Sequence, residues 1–155
     1  MKRRESADIF IGTSGWTYAG WKGSFYPERI SVQERLRFYA SQFSTTEING
    51  SFHRTPTLSA VQLWRDQTPA SFSFSWKASK FITHWKRPSA KCENSIALME
   101  TRLPTLEPKI GIVLFQLPPQ FSQDADRLKS FLGMLPSRYR YAFEFRNGAG
   151  AKTRF

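Results

Sequence analysis

Cys92 is the only cysteine in the 155-residue chain. That excludes an internal disulfide and a cysteine-built metal site, and a reducing compartment follows as the simplest setting. Histidine is almost as scarce. With His53 and His84 alone, a zinc site would need carboxylates such as Glu47 or Glu144, and their spacing matches no metal motif. No run of about 18 apolar residues is present to span a membrane. Neither G-x-G-x-x-G nor G-x-x-x-x-G-K occurs after the first apolar run, so nothing argues for a dinucleotide or P-loop site and any cofactor stays unknown, and no nucleophile elbow supports a Ser-His-Asp triad. Acids are the other shortage: 12 Asp+Glu stand against 23 Lys+Arg, for a net charge of +11. The start, Met1-Lys2-Arg3-Arg4-Glu5, leads into no apolar signal segment, which predicts a cytoplasmic protein with residues 1–8 disordered. A hydrophobic share of 40% is too high for a disordered chain, and the length suits one domain.

Short apolar runs alternate with helical periodicity, the pattern of βα units around a parallel sheet. Ile9-Phe10-Ile11 reads as a first strand, punctuated by Gly12-Thr13-Ser14-Gly15. Ser31 and Glu34 form a capping box ahead of a helix with Leu36, Tyr39, Ala40 and Phe43 on one face. Thr45 to Ile48 is a second strand, Thr57 caps a second helix, and Phe72 to Ala78 alternates as a third strand. A third helix from Asn94 should end or kink at Pro104. Ile110 to Leu117 is a fourth strand, Asp124 caps a fourth helix, and Tyr141 to Phe145 is a fifth strand. The strand ends fall roughly 30 to 40 residues apart, the size of a βα unit. Such repeated crossovers build either a doubly wound sheet or a TIM-type (β/α) barrel.

Side chains alternate across a strand, so parity sorts the polar residues. Glu47 with Asn49, Lys77, Gln116, and Glu144 with Arg146 fall on the small, polar face at the carboxyl ends of successive strands. Parallel α/β folds put their sites there. Glu47 or Glu144 would serve as a general acid/base, and Lys77 would hold an anionic or carbonyl group. The competing reading of the same residues is a structural ion network, because a charge left unpaired inside the fold is costly. Both histidines lie in the loops that follow, Asn49 to Arg54 and Ser79 to Arg87. The second loop is long for a βα connection. Lys77, Lys80, Lys86, Arg87 and Lys91 make a stretch with no acid in it, which suits either solvent or an anionic partner such as a nucleic-acid backbone. Trp16, Tyr18, Trp21, Phe25 and Tyr26 would form a packed lid or stack on a sugar or base.

Five segments carry a resemblance: I-G-T-S-G-W-T-Y from Ile11, T-E-I-N-G-S-F-H-R from Thr46, W-K-A-S-K-F-I-T-H from Trp76, V-L-F-Q-L-P-P from Val113 and A-F-E-F-R-N from Ala142. In this order, over residues 9–147, they resemble the YecE-like family, domain-of-unknown-function family 72. The resemblance implies a TIM-type barrel with its motif residues at the carboxyl-end face and no established reaction. Carried over by motif, the positions are Glu47, Asn49, Lys77, His84, Gln116, Glu144 and Arg146. Of these, Glu47, Lys77 and Glu144 are expected to be catalytic, and Asn49, His84, Gln116 and Arg146 to bind substrate. Family members continue into three more βα units, whereas this chain runs into Gly148-Ala149-Gly150 and stops at Phe155. The expectation is therefore an incomplete barrel with about five of eight βα units, truncated, with 148–155 an aberrant tail. Its open sheet edges would favour oligomers. Three functions follow as expectations: an enzyme-like site for a small anionic or phosphorylated substrate, a non-catalytic nucleic-acid-binding protein using Lys77–Lys91, or a non-functional remnant.

Overall fold

A computed structural model describes residues 9–122 and 124–146; the expectations for 1–8 and 148–155 fall outside these. Five strands, β1 (Gly12–Ser14), β2 (Thr45–Ile48), β3 (Ser73–Lys77), β4 (Ile110–Gln116) and β5 (Tyr141–Glu144), form one parallel sheet in sequential order. The helices are α1 (Arg35–Gln42), α2 (Gly50–His53), α3 (Leu58–Asp66), α4 (Glu93–Glu100), α5 (Leu103–Leu106) and α6 (Ala125–Leu132). The result is an α/β fold whose sheet order is that of a partial TIM-like barrel.

Local chemistry explains most boundaries. The Ser31 N–H and hydroxyl both donate to the Glu34 carboxylate, at 3.0 and 2.6 Å, and a 3₁₀ turn then leads into α1. Thr57 Oγ1 accepts from the Ala60 N–H to start α3, and Asp124 Oδ1 accepts from the Arg127 N–H to start α6. Pro104 does not kink α4. The helix ends at Glu100, and Pro104 sits in the first turn of α5, where its missing N–H costs nothing.

Three expectations are corrected. The first strand is not Ile9 to Ile11 but Gly12–Ser14, because Gly12 is the residue that pairs with Thr45. A Cβ at Gly12 would overlap the Thr45 carbonyl, so the closest approach of the two strands selects glycine. Ile9, Phe10 and Ile11 are exposed ahead of it. The segment after β2 is not a plain loop: Gly50–His53 closes one helical turn. The long segment after β3 contains a π-helical turn, Phe81–Trp85.

The helices cover one face of the sheet. Ile48, Phe74, Trp76, Val113 and Phe115 point into them and are buried, with Tyr39, Leu103 and Phe131 packing from the helical side. The β3–β4 register slips at Gly111: Ile110 pairs with Phe74 but Ile112 with Ser75. That bulge puts Ile110 against the helices, among the residues packed on the core, while Ile112 shares the face of Ser75. The other face carries Ser14, Glu47, Ser75, Lys77, Gln116 and Glu144. No helix among the described residues is long and apolar enough to cross a membrane.

Candidate functional site

Parallel pairing sets the carboxyl ends of the strands side by side, with Ser14 beside Glu47, Glu47 beside Ser75, and Gln116 beside Glu144. Two polar clusters result. In the first, Ser14 Oγ donates to Glu47 Oε1 at 2.5 Å, and Lys77 Nζ reaches the same oxygen at 3.4 Å. The Lys77 and Glu47 side chains keep only 11% and 18% of their exposure, so the pair is largely withdrawn from water. The Lys77 ammonium also lies 5.4 Å from the centre of the Phe52 ring, within cation–π range. The Ser51 hydroxyl ties the start of α2 to the Lys77 carbonyl at 2.6 Å, which fixes the backbone from which that lysine projects.

The second cluster joins β4 to β5. Gln116 Nε2 donates to Glu144 Oε2 at 2.8 Å, and Arg146 Nε stands 3.9 Å from Glu144 Oε1. Both members of that ion pair are about half exposed, so it is far less constrained than the Lys77–Glu47 pair. No hydrogen bond among the described residues bridges the two clusters. His84 lies in the field of both: burial, then the charges of Arg146 and Lys77, hold its imidazole below the usual value of 6.5. It is neutral at pH 7. Its ring packs edge-on against Phe52 at 5.2 Å, and Nδ1 pairs with the Thr83 hydroxyl at 2.8 Å.

Six of the seven expected positions therefore lie in or against these two clusters. Asn49 does not. The backbone turns helical at that residue (φ −75°, ψ −28°), which ends the alternation that would have put it beside Glu47, and it lines an adjoining cavity that Ser14 also borders. Sequence reasoning missed Ser14 and Phe52. Ser14 stood within the punctuation after the misplaced first strand, and parity counted from Gly12 would have found it. Phe52 carried no polar signal. The aromatic segment is mostly packing: Tyr26 and Trp16 are buried, the Tyr26 phenol donates to the Trp16 carbonyl at 2.6 Å, and burial pushes that phenol up to about 12. Among the described residues no group of three or more His, Cys, Asp and Glu could hold a metal.

A family profile described as "Protein of unknown function DUF72" matches residues 10–152. The UPF0759 protein YunF of Bacillus subtilis (strain 168) is 29% identical over 150 residues, covering 90% of this chain and 51% of that protein. The crystal structure of a DUF72 family protein from Thermotoga maritima MSB8 superposes with a TM-score of 0.71 at 27% identity, over 90% of this chain and 56% of the other. One from Enterococcus faecalis V583 shares the fold at a TM-score of 0.67 and 22% identity, over 79% and 51%. The chain spans about half the length of the relatives it matches.

Proposed function

Because the chain belongs to the DUF72 family of proteins of unknown function, we propose a function from its geometry alone: an enzyme-like site, at the carboxyl ends of the strands of a TIM-type barrel, for a small anionic or phosphorylated substrate. The sequential parallel order and the likeness to the Thermotoga structure support the barrel. The observation that carries the site is the withdrawn Ser14–Glu47–Lys77 cluster. An ammonium kept from water binds an anion more strongly than one in bulk solvent, since the local dielectric is lower. Lys77 is the anion-holding group in this reading, and Arg146 approaches from β5. Glu47, hydrogen-bonded by Ser14, takes or returns a proton on the same ligand. Neutral His84 is a second proton acceptor within reach of the same charges. Glu144, held by Gln116, is the second acid/base. A titration of inorganic phosphate followed by calorimetry tests the reading. Saturable binding that Lys77→Met weakens at least tenfold supports it; no binding, or binding that survives Lys77→Met unchanged, overturns it.

One observation favours a second reading, single-stranded nucleic acid on the turn after β3. Trp85 is 63% exposed, its ring contacts the exposed Phe81 at 4.2 Å, and Lys80 Nζ lies 5.3 Å over it. Exposed aromatic rings beside cations are the elements of a base-stacking platform. Anisotropy of a labelled oligonucleotide should fall steeply between 50 and 200 mM salt and be lost with Trp85→Ala. Salt-insensitive or absent binding removes this reading.

A further inference from the structure

A cavity of about 470 Å³ lies beside the strand-end site, on the helical side of the sheet. Its walls come from the segment after β1, the start of α1, the turn into α2 and the end of α3. The volume falls within the range of small-molecule sites. Leu36 and Ile48 form its floor, 2% and 1% exposed, so the base is held rigid by the core. Trp16 and Trp64 meet edge to face at 5.4 Å in its wall. At its lip Val32 and Leu63 remain 61% and 49% exposed. Water therefore covers apolar surface on the rim of a concavity whose base is already dry, and displacing that water favours an apolar occupant.

Its polar groups restrict the occupant further. None of the lining residues is Lys, Arg, Asp or Glu, so a charged ligand would be buried without a counterion, at high cost. Ser14 Oγ already donates to Glu47, the Tyr18 hydroxyl to the Ser14 carbonyl, and the Gln67 amide to the Gln33 carbonyl. Among the described residues the Thr17 hydroxyl and the Gln33 side chain have no such engagement, and neither do the Asn49 amide and the His53 ring. The last two together offer donors and an acceptor to one edge of a ligand. The Trp16–Trp64 pair supplies aromatic surface that a flat ring packs against. We propose that this cavity binds an uncharged aromatic nitrogen heterocycle, packed against the Trp16–Trp64 pair and read along one edge by Asn49 and His53.

Ser14 borders both sites, but the assignment uses neither Glu47 nor Lys77, and phosphate titrations there succeed or fail independently. The test is ¹⁹F NMR of the chain labelled with 5-fluorotryptophan, its five tryptophan signals assigned by single Trp→Phe substitutions, titrated with adenine and, separately, benzoate. Adenine should shift the Trp16 and Trp64 signals saturably, while benzoate leaves them in place. Asn49→Leu should weaken adenine at least fivefold. Leu63→Glu, at an exposed position that does not hold the core together, should abolish binding with the circular dichroism unchanged. The assignment is overturned if adenine shifts no signal or only that of exposed Trp85. Equal binding of benzoate, or an Asn49→Leu variant that binds adenine as wild type, would overturn it as well.

Discussion

Tyr39 shows how much one buried hydroxyl does at the base of this site. Its ring is fully buried, and its oxygen accepts from the Thr13 N–H at 2.7 Å and the Thr13 hydroxyl at 2.9 Å while donating to the Thr45 carbonyl at 3.0 Å. One atom thus joins β1 to β2, one and two residues before Ser14 and Glu47. Tyr39→Phe leaves the Thr13 amide without its partner, which costs about 1–3 kcal/mol; urea denaturation should show that loss with the m-value unchanged. His84 supplies the pH dependence. Its folded pKa lies below the usual 6.5, so the unfolded chain binds the proton more readily. The stability that neutral His84 contributes is complete above pH 6.5 and is lost as pH falls through the lower, folded value. The urea midpoint should drop across that window, and His84→Gln should flatten the drop. At this scale the Glu47–Lys77 pairing was legible, because strand parity alone puts the two on one face. Asn49 was not, because a single change of backbone region cancels parity at the residue where the strand ends.

Elements were legible wherever a local cause set them. The Ser31–Glu34 box and the Thr57 and Asp124 caps each act over three residues, and each is found as read. Causes acting across the chain were hidden. Lys109 donates to the Arg65 and Thr68 carbonyls at 2.5 and 2.6 Å, closing the end of α3 from 44 and 41 residues away. The bulge at Gly111 likewise turns Ile110 to the helical face, although Ile110, Ile112 and Leu114 share a parity in the sequence. The shift of β1 from Ile9–Ile11 to Gly12–Ser14 belongs to the same class: hydrophobicity favoured the isoleucines, but backbone proximity to β2 decided the matter. Gly12→Ala tests this directly. Its methyl group meets the Thr45 carbonyl, a backbone group that cannot swing aside, so the variant should lose about 1–3 kcal/mol, the usual cost of overpacking. Amide exchange in β1 and β2 should rise with it. A Gly12→Ala protein as stable as wild type would place β1 elsewhere.

For the whole molecule the deciding quantity is charge. An excess of 11 cations has few local partners: three ion pairs occur among the described residues, Lys77–Glu47, Arg127–Asp124 and Arg146–Glu144. The last two are exposed, and such pairs contribute about 0–1 kcal/mol each. Self-repulsion among the remaining cations works against the compact state. Salt acts on both, since the screening length falls to about 10 Å at 0.1 M, but it relieves many long-range repulsions while weakening only two exposed attractions. The withdrawn Lys77–Glu47 pair is screened least. Raising sodium chloride from 20 to 200 mM should therefore raise the thermal midpoint, by about 1–2 °C for each 0.5 kcal/mol of repulsion removed from a chain of this length. Because chloride screens every surface cation, the same rise should appear in Lys77→Met, which separates screening from occupation of the anion site. A midpoint that falls with salt would mean that the few pairs outweigh the excess, and the protein's basic surface would then have to be balanced by contacts other than these three.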